Sequence, residues 1–180
     1  MQPIRKSPLL LIGAVLWFVG MAATASAASI TIVALGTSNS KGRGVTPQQS
    51  WPSQLQAMLR ARGVDARVIN MGVNGDSTAG MLARAGSVPN GTRLVILEWA
   101  RNNEARNGID NTSANMAAIR DKLSARNIAS IDITGVISAE FPRARAAGMI
   151  VNDGGPHLNG AAYTEVASQV LPMVMSQIGR

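Results

Sequence analysis

The chain predicts an α/β fold, a central parallel sheet flanked by helices, on three observations. Short apolar runs alternate with segments of helical periodicity. The run at 94–99 is continuous rather than alternating, as in a strand covered on both faces. The helices between runs demand right-handed crossovers, which place all strand C-termini on one edge of the sheet.

Taken in order, residues 30–35 form the first strand. Trp51, Leu55, Met58 and Leu59 then recur at i, i+4, i+7 and i+8, with Ser50 as N-cap and Gly63 as stop, so this segment is a helix. A second strand at 66–71 and a short helix at 78–85 lead to the third strand, 94–99. Met116, Ile119 and Leu123 mark another helix, and 128–133 a fourth strand. Pro142 interrupts 138–147, which reads as an irregular or short helical connection. In the last helix Asn159 is the cap, Leu158 and Tyr163 form a hydrophobic staple, and Tyr163, Val166, Ala167, Val170 and Leu171 make the buried stripe until Pro172 disturbs it.

The first residues have the pattern of an export signal: Arg5 and Lys6, an apolar run at 9–19, and small residues ending Ala25-Ser26-Ala27. Cleavage after Ala27 leaves 28–180 as a single domain, exported to the periplasm or beyond, with the membrane engaged only through the signal. Without cysteine, that domain must hold itself together by packing, and thiol chemistry is excluded. The precursor carries a net charge of +7, but its arginines are dispersed, and only Trp51, Trp99, Phe141 and Tyr163 supply aromatic rings beyond residue 27. Neither a basic arm nor a base-stacking platform is present, so nucleic acid is not the expected partner. Lys41 follows a Gly36-Thr-Ser-Asn-Ser turn that lacks the second glycine of a phosphate-binding loop. One histidine and no tight acidic cluster make no zinc site, and no cofactor is expected.

Chemistry concentrates on few residues. His157 is the only histidine, and Ser38 lies on a turn directly after the first strand. A serine hydroxyl is a weak nucleophile that needs an imidazole within hydrogen-bond reach, so the two residues form a candidate pair. The loops carrying Ser38, Gly75 and Asn102 each follow a strand, and His157 precedes the final helix, so all four can meet on one edge.

Four blocks in order, Gly36-Thr37-Ser38-Asn39-Ser40, Asn70 to Ser77, Ala100-Arg101-Asn102-Asn103 and Asp153 to Asn159, resemble those of the SGNH (GDSL) hydrolase family. The resemblance covers nearly all of 28–180. It implies a three-layer, flavodoxin-like fold, and it makes Ser38 the nucleophile and His157 the general base. The amides of Ser38 and Gly75 and the Asn102 side chain become oxyanion donors, and the implied substrate is a small-molecule ester or thioester. Thr37, Ala100 and Asn103 depart from the family's usual Asp, Gly and Asp. Asp153 lies four residues before His157 instead of three. An extra residue could bulge and let Asp153 reach the imidazole, the favoured arrangement, or a backbone carbonyl could fix the tautomer and leave a Ser-His dyad. The other reading is a catalytically silent domain of this fold that binds a cell-envelope ligand. Arg101, Glu104 and Arg106 beside Asn102 are expected to be solvated and mutually paired. Nothing in the sequence fixes the oligomeric state.

Overall fold

The computed structural model describes residues 29–179, so the export-signal pattern lies outside the described residues. Four parallel strands, β1 (Ile30–Gly36), β2 (Ala66–Gly72), β3 (Thr92–Leu97) and β4 (Ala129–Asp132), pair in the order β2-β1-β3-β4. Register is set by pairs such as Val33 with Ile69, Ala34 with Ile96 and Ile96 with Ile131.

Alternation along the central strands divides the interior in two, because successive side chains point to opposite faces. Ile32, Ala34, Leu94 and Ile96 pack on α2 (Trp51–Ala61), α6 (Thr134–Ala146) and α7 (Gly160–Gln177). Val33, Leu35, Val95 and Leu97 pack on α3 (Thr78–Arg84) and α5 (Thr112–Ser124). Both faces of β1 and β3 are therefore dry, which is why they are continuous apolar runs. The three-layer arrangement is the one expected from the sequence. Asn159 caps α7 as expected, its side chain accepting from the Ala162 amide at 3.0 Å.

Three local outcomes differ from the sequence expectation. The 138–147 stretch belongs to a continuous helix, α6, with Pro142 inside it. Ile137, Glu140 and Ala144 bury the inner face of that helix while Pro142 stays exposed, so packing against α7 outweighs the lost backbone bond. Pro172 likewise lies inside α7 without ending it. Finally, a hairpin of β5 (Ile150–Asn152) and β6 (Pro156–Leu158) forms just before α7.

Strand order reverses between β1 and β3, so the edge crevice of the sheet opens where β1 continues into α1 (Ser38–Lys41) and β3 leads to α4 (Arg101–Arg106). The β5/β6 hairpin brings His157 to the same edge.

Candidate active site

Ser38 begins α1, one turn of helix stacked on the end of β1. Its carbonyl accepts from the amides of Gly42 at 3.1 Å and Arg43 at 3.0 Å, and Gly42 closes the turn at φ +79°. Gly36 is required here, because a Cβ would stand 2.8 Å from the Glu98 carbonyl and 2.9 Å from its carboxylate.

Glu98, directly after β3, has no exposed surface and lies beneath this turn. One carboxylate oxygen accepts from the backbone amides of Thr37 (3.0 Å) and Ser40 (3.3 Å) and from the Ser40 hydroxyl (3.0 Å). The other takes the Thr37 hydroxyl at 3.1 Å and the Asn39 amide at 3.4 Å. The carboxylate thus collects donors from three of the residues around Ser38, the arrangement a buried anion requires. Close by, burial, assisted by the Glu98 charge, pushes the Tyr163 hydroxyl well above its usual range, so it stays protonated.

His157 is 8% exposed, and its Nε2 lies 3.1 Å from Ser38 Oγ. Nδ1 faces the Gly155 carbonyl at 3.0 Å. A carbonyl can only accept, so Nδ1 carries the hydrogen and Nε2 is left with the lone pair that receives Ser38 Oγ–H. Burial depresses the imidazole's proton affinity below its ordinary value; the Gly155 carbonyl opposes this, Arg43 adds to it, Asp153 opposes and Arg106 adds. Near neutral pH the ring is therefore a neutral base.

The geometry departs from the expectation at Asp153. Its carboxylate is engaged by Arg43, with Nε to Oδ2 and Nη2 to Oδ1 both at 3.4 Å, and it lies largely in solvent. The Gly154-Gly155-Pro156 turn explains why. Gly154 and Gly155 take φ +60° and +129°, and the Asp153 amide donates to the Gly155 carbonyl at 3.0 Å. The extra residue thereby brings a peptide oxygen, not the carboxylate, to Nδ1. Of the two arrangements left open by the sequence, the structure has the carbonyl-oriented one.

Asn102, in the first turn of α4, lines a cavity of about 630 Å³ together with Ser38 and His157. The remainder of its wall includes Trp99, Ala105, Thr134, Gly135, Ile137, Ser138, Phe141 and Pro156. Gly75 is not part of that wall. It occupies an adjacent turn at φ +74°, and its carbonyl accepts from Asn107 Nδ2 at 3.2 Å, which ties the turn to the end of α4.

Glu104 is not solvated. It is buried and accepts from the Thr78 amide, the Thr78 hydroxyl and the Thr112 hydroxyl, each at 2.7 Å, joining α4 to α3 and α5. Arg106 bonds to Asn103 Oδ1 instead of an acid. Sequence reasoning also passed over Glu98, although a lone acid at the end of an apolar strand was a signal.

Residues 34–169 match the model of the GDSL-like lipase/acylhydrolase family. The chain belongs to that family. Among curated proteins it is 35% identical over 85 residues to esterase TesA of Pseudomonas aeruginosa, covering 46% of this chain and 42% of the relative. It is 37% identical over 84 residues to an arylesterase of Vibrio mimicus, again with 46% and 42% coverage. The matched segments thus span less than half of either relative. Among solved structures, the SGNH-hydrolase family esterase AlinE4 aligns at TM-score 0.54 and 32% identity over 59% of each chain. A TesA structure aligns at TM-score 0.66 over 82% of this chain and 99% of its own; at 22% identity that likeness concerns the fold alone.

Proposed function

We propose that the protein is a serine hydrolase that cleaves carboxylic esters or thioesters through an acyl-enzyme on Ser38. The observation that carries this is the 3.1 Å contact between Ser38 Oγ and His157 Nε2, with the ring's other nitrogen bonded to the Gly155 carbonyl. In the first half-reaction His157 Nε2 takes the hydroxyl proton as Oγ attacks the substrate carbonyl, then returns it to the departing alcohol or thiol. Water, deprotonated by the same nitrogen, releases the acid and restores the serine. Asn102 and the Ser38 amide, both of residues lining the cavity beside His157, donate to the oxyanion, a type of contact worth about 10²- to 10³-fold in rate per donor; the Gly75 amide, the third donor of the family pattern, lies in the adjacent turn outside the cavity wall.

The Gly155 carbonyl holds the imidazole in its working tautomer, and Asp153 stands outside the proton path. Relatives named as an esterase and an arylesterase favour the same bond type. The export-signal pattern at 1–27 supports action outside the cytoplasm, in the periplasm or the medium.

The test is hydrolysis of p-nitrophenyl acetate by the parent, Ser38→Ala and His157→Ala, with phosphonate labelling of the parent. Loss of turnover in both variants and labelling at Ser38 are expected. Equal turnover in all three would refute the assignment.

A further inference from the structure

Among the described residues, three glycines lie inside α-helices, and two have evident reasons to be there. A Cβ on Gly80 would collide with the Asp76 carboxylate, and one on Gly160 would press on the Gln49 side chain at 3.2 Å. Gly135 has no such reason. It sits exposed in the first turn of α6, at the open rim of the cavity, with a backbone that any residue can adopt, and a Cβ there would meet no atom within 4 Å. Glycine is a poorer helix former than alanine, and neither packing nor backbone conformation requires it here.

What distinguishes the position is the cavity it lines. Thr134, Ile137, the exposed Ser138 and the half-buried Phe141 of α6 line the same cavity, and Trp99, two residues beyond β3, lines it from the sheet side. The start of that helix is held firmly: the Ile133 amide donates to the Leu97 carbonyl at 2.9 Å, the Thr134 amide to Asp132 at 2.9 Å, and the Trp99 amide to the Thr134 hydroxyl at 3.2 Å. A wall fixed in this way does not swing aside for a ligand. Its free depth is set by the side chains it carries, and at 135 it carries none.

We propose that Gly135 is the specificity-determining residue of this cavity: the space it leaves admits an extended apolar arm of the ester, seated against Trp99, Ile137 and Phe141. This rests on the ester-hydrolase reading of the Ser38–His157 pair. The cavity volume of about 630 Å³ lies within the range of sites for drug-sized ligands, well beyond the needs of an acetyl group. Each buried methylene of such an arm adds to binding, so losing several of them is a large discrimination.

The experiment compares the parent, Gly135→Ala and Gly135→Leu on p-nitrophenyl acetate and p-nitrophenyl octanoate, with thermal unfolding of each. Gly135→Leu is expected to lower the octanoate-to-acetate ratio of kcat/KM by about tenfold or more, through KM for the octanoate, in line with what several lost methylene contacts cost. Gly135→Ala melts at or above the parent temperature and falls between the two in selectivity. An octanoate-to-acetate ratio unchanged in Gly135→Leu overturns the proposal while leaving the hydrolase reading intact. A parallel fall on both esters also overturns it, because the position then acts on the reacting centre and not on the arm. A parent inert toward both esters overturns the hydrolase reading, and this proposal with it.

Discussion

Removing the Glu98 carboxylate tests how the turn that carries Ser38 is held. Glu98→Ala would strip the acceptor from the amides of Thr37 and Ser40, both on fully buried residues. Those amides belong to a fixed backbone and have no second acceptor to turn to. An orphaned buried donor costs about 1–3 kcal/mol, so the pair costs about 2–6 kcal/mol, before counting the Thr37 and Ser40 hydroxyls, which can rotate to new partners. A loss of about 4 kcal/mol is a large part of the roughly 5–15 kcal/mol by which single domains are folded. Glu98→Gln keeps one oxygen for both amides, since they share the same carboxylate oxygen. Its new NH₂ would face Thr37 Oγ1, which can accept, and Asn39 Nδ2, which cannot, so about 1–2 kcal/mol is expected. Urea unfolding followed by circular dichroism measures both, with unchanged m-values as the sign that only stability has moved. If Glu98→Ala unfolds within about 1 kcal/mol of the parent, the amides have found other partners and the carboxylate does not hold the turn.

Further outcomes are expected. Asp153→Ala should retain kcat to within about tenfold, because the Gly155 carbonyl orients the ring; a loss near 10⁴-fold, the cost of removing an orienting acid, would place Asp153 in a triad instead. Burial depresses the His157 pKa, so kcat/KM should fall only below pH 6.5 and stay level from there through neutrality. The same shift gives folding stability that is full above the unfolded value of 6.5 and declines as acid drives protonation through the folded pKa; stability rising as the pH drops through that window would contradict it. Asn103→Asp should raise unfolding stability by about 1 kcal/mol, because Arg106 gains an ionic partner and the unpaired, buried Asn103 Nδ2 disappears. It should also move the acid limb of the rate profile upward, since the Arg106 charge helps hold His157 down, and an unmoved limb would mean that charge is not felt at the ring.

The sheet was legible because burial on both sides leaves little room for polar residues: β1 and β3 announce themselves as apolar runs, and Ser38 and Asn102 follow from where those runs stop. Trp51 and Leu55 gave α2 by periodicity, and Asn159 gave the start of α7. What escaped was decided by contacts distant in sequence or by fine backbone geometry. Pro142 argued locally against a helix that packing on α7 stabilises. Asp153 and the Gly155 carbonyl compete for one ring nitrogen, and only the positive φ angles of Gly154 and Gly155 reveal which one arrives. Glu98 was absorbed into an apolar run and Glu104 into a charged stretch, yet each is a buried acceptor for donors on other elements. No short window of sequence contains such a set of partners.

The hydrogen bond between Ser38 and His157 closes a loop of 119 residues, from the first strand to the hairpin that precedes the last helix. Contacts of such separation are entropically slow to form and are rewarded only after the intervening elements have docked. On the proposed mechanism the two groups therefore remain chemically strangers through most of folding, and a partly synthesised or partly folded chain carries an ordinary, unreactive serine. Turnover during refolding should accordingly return with the slowest structural phase, making the activity itself a clock for completion of the fold.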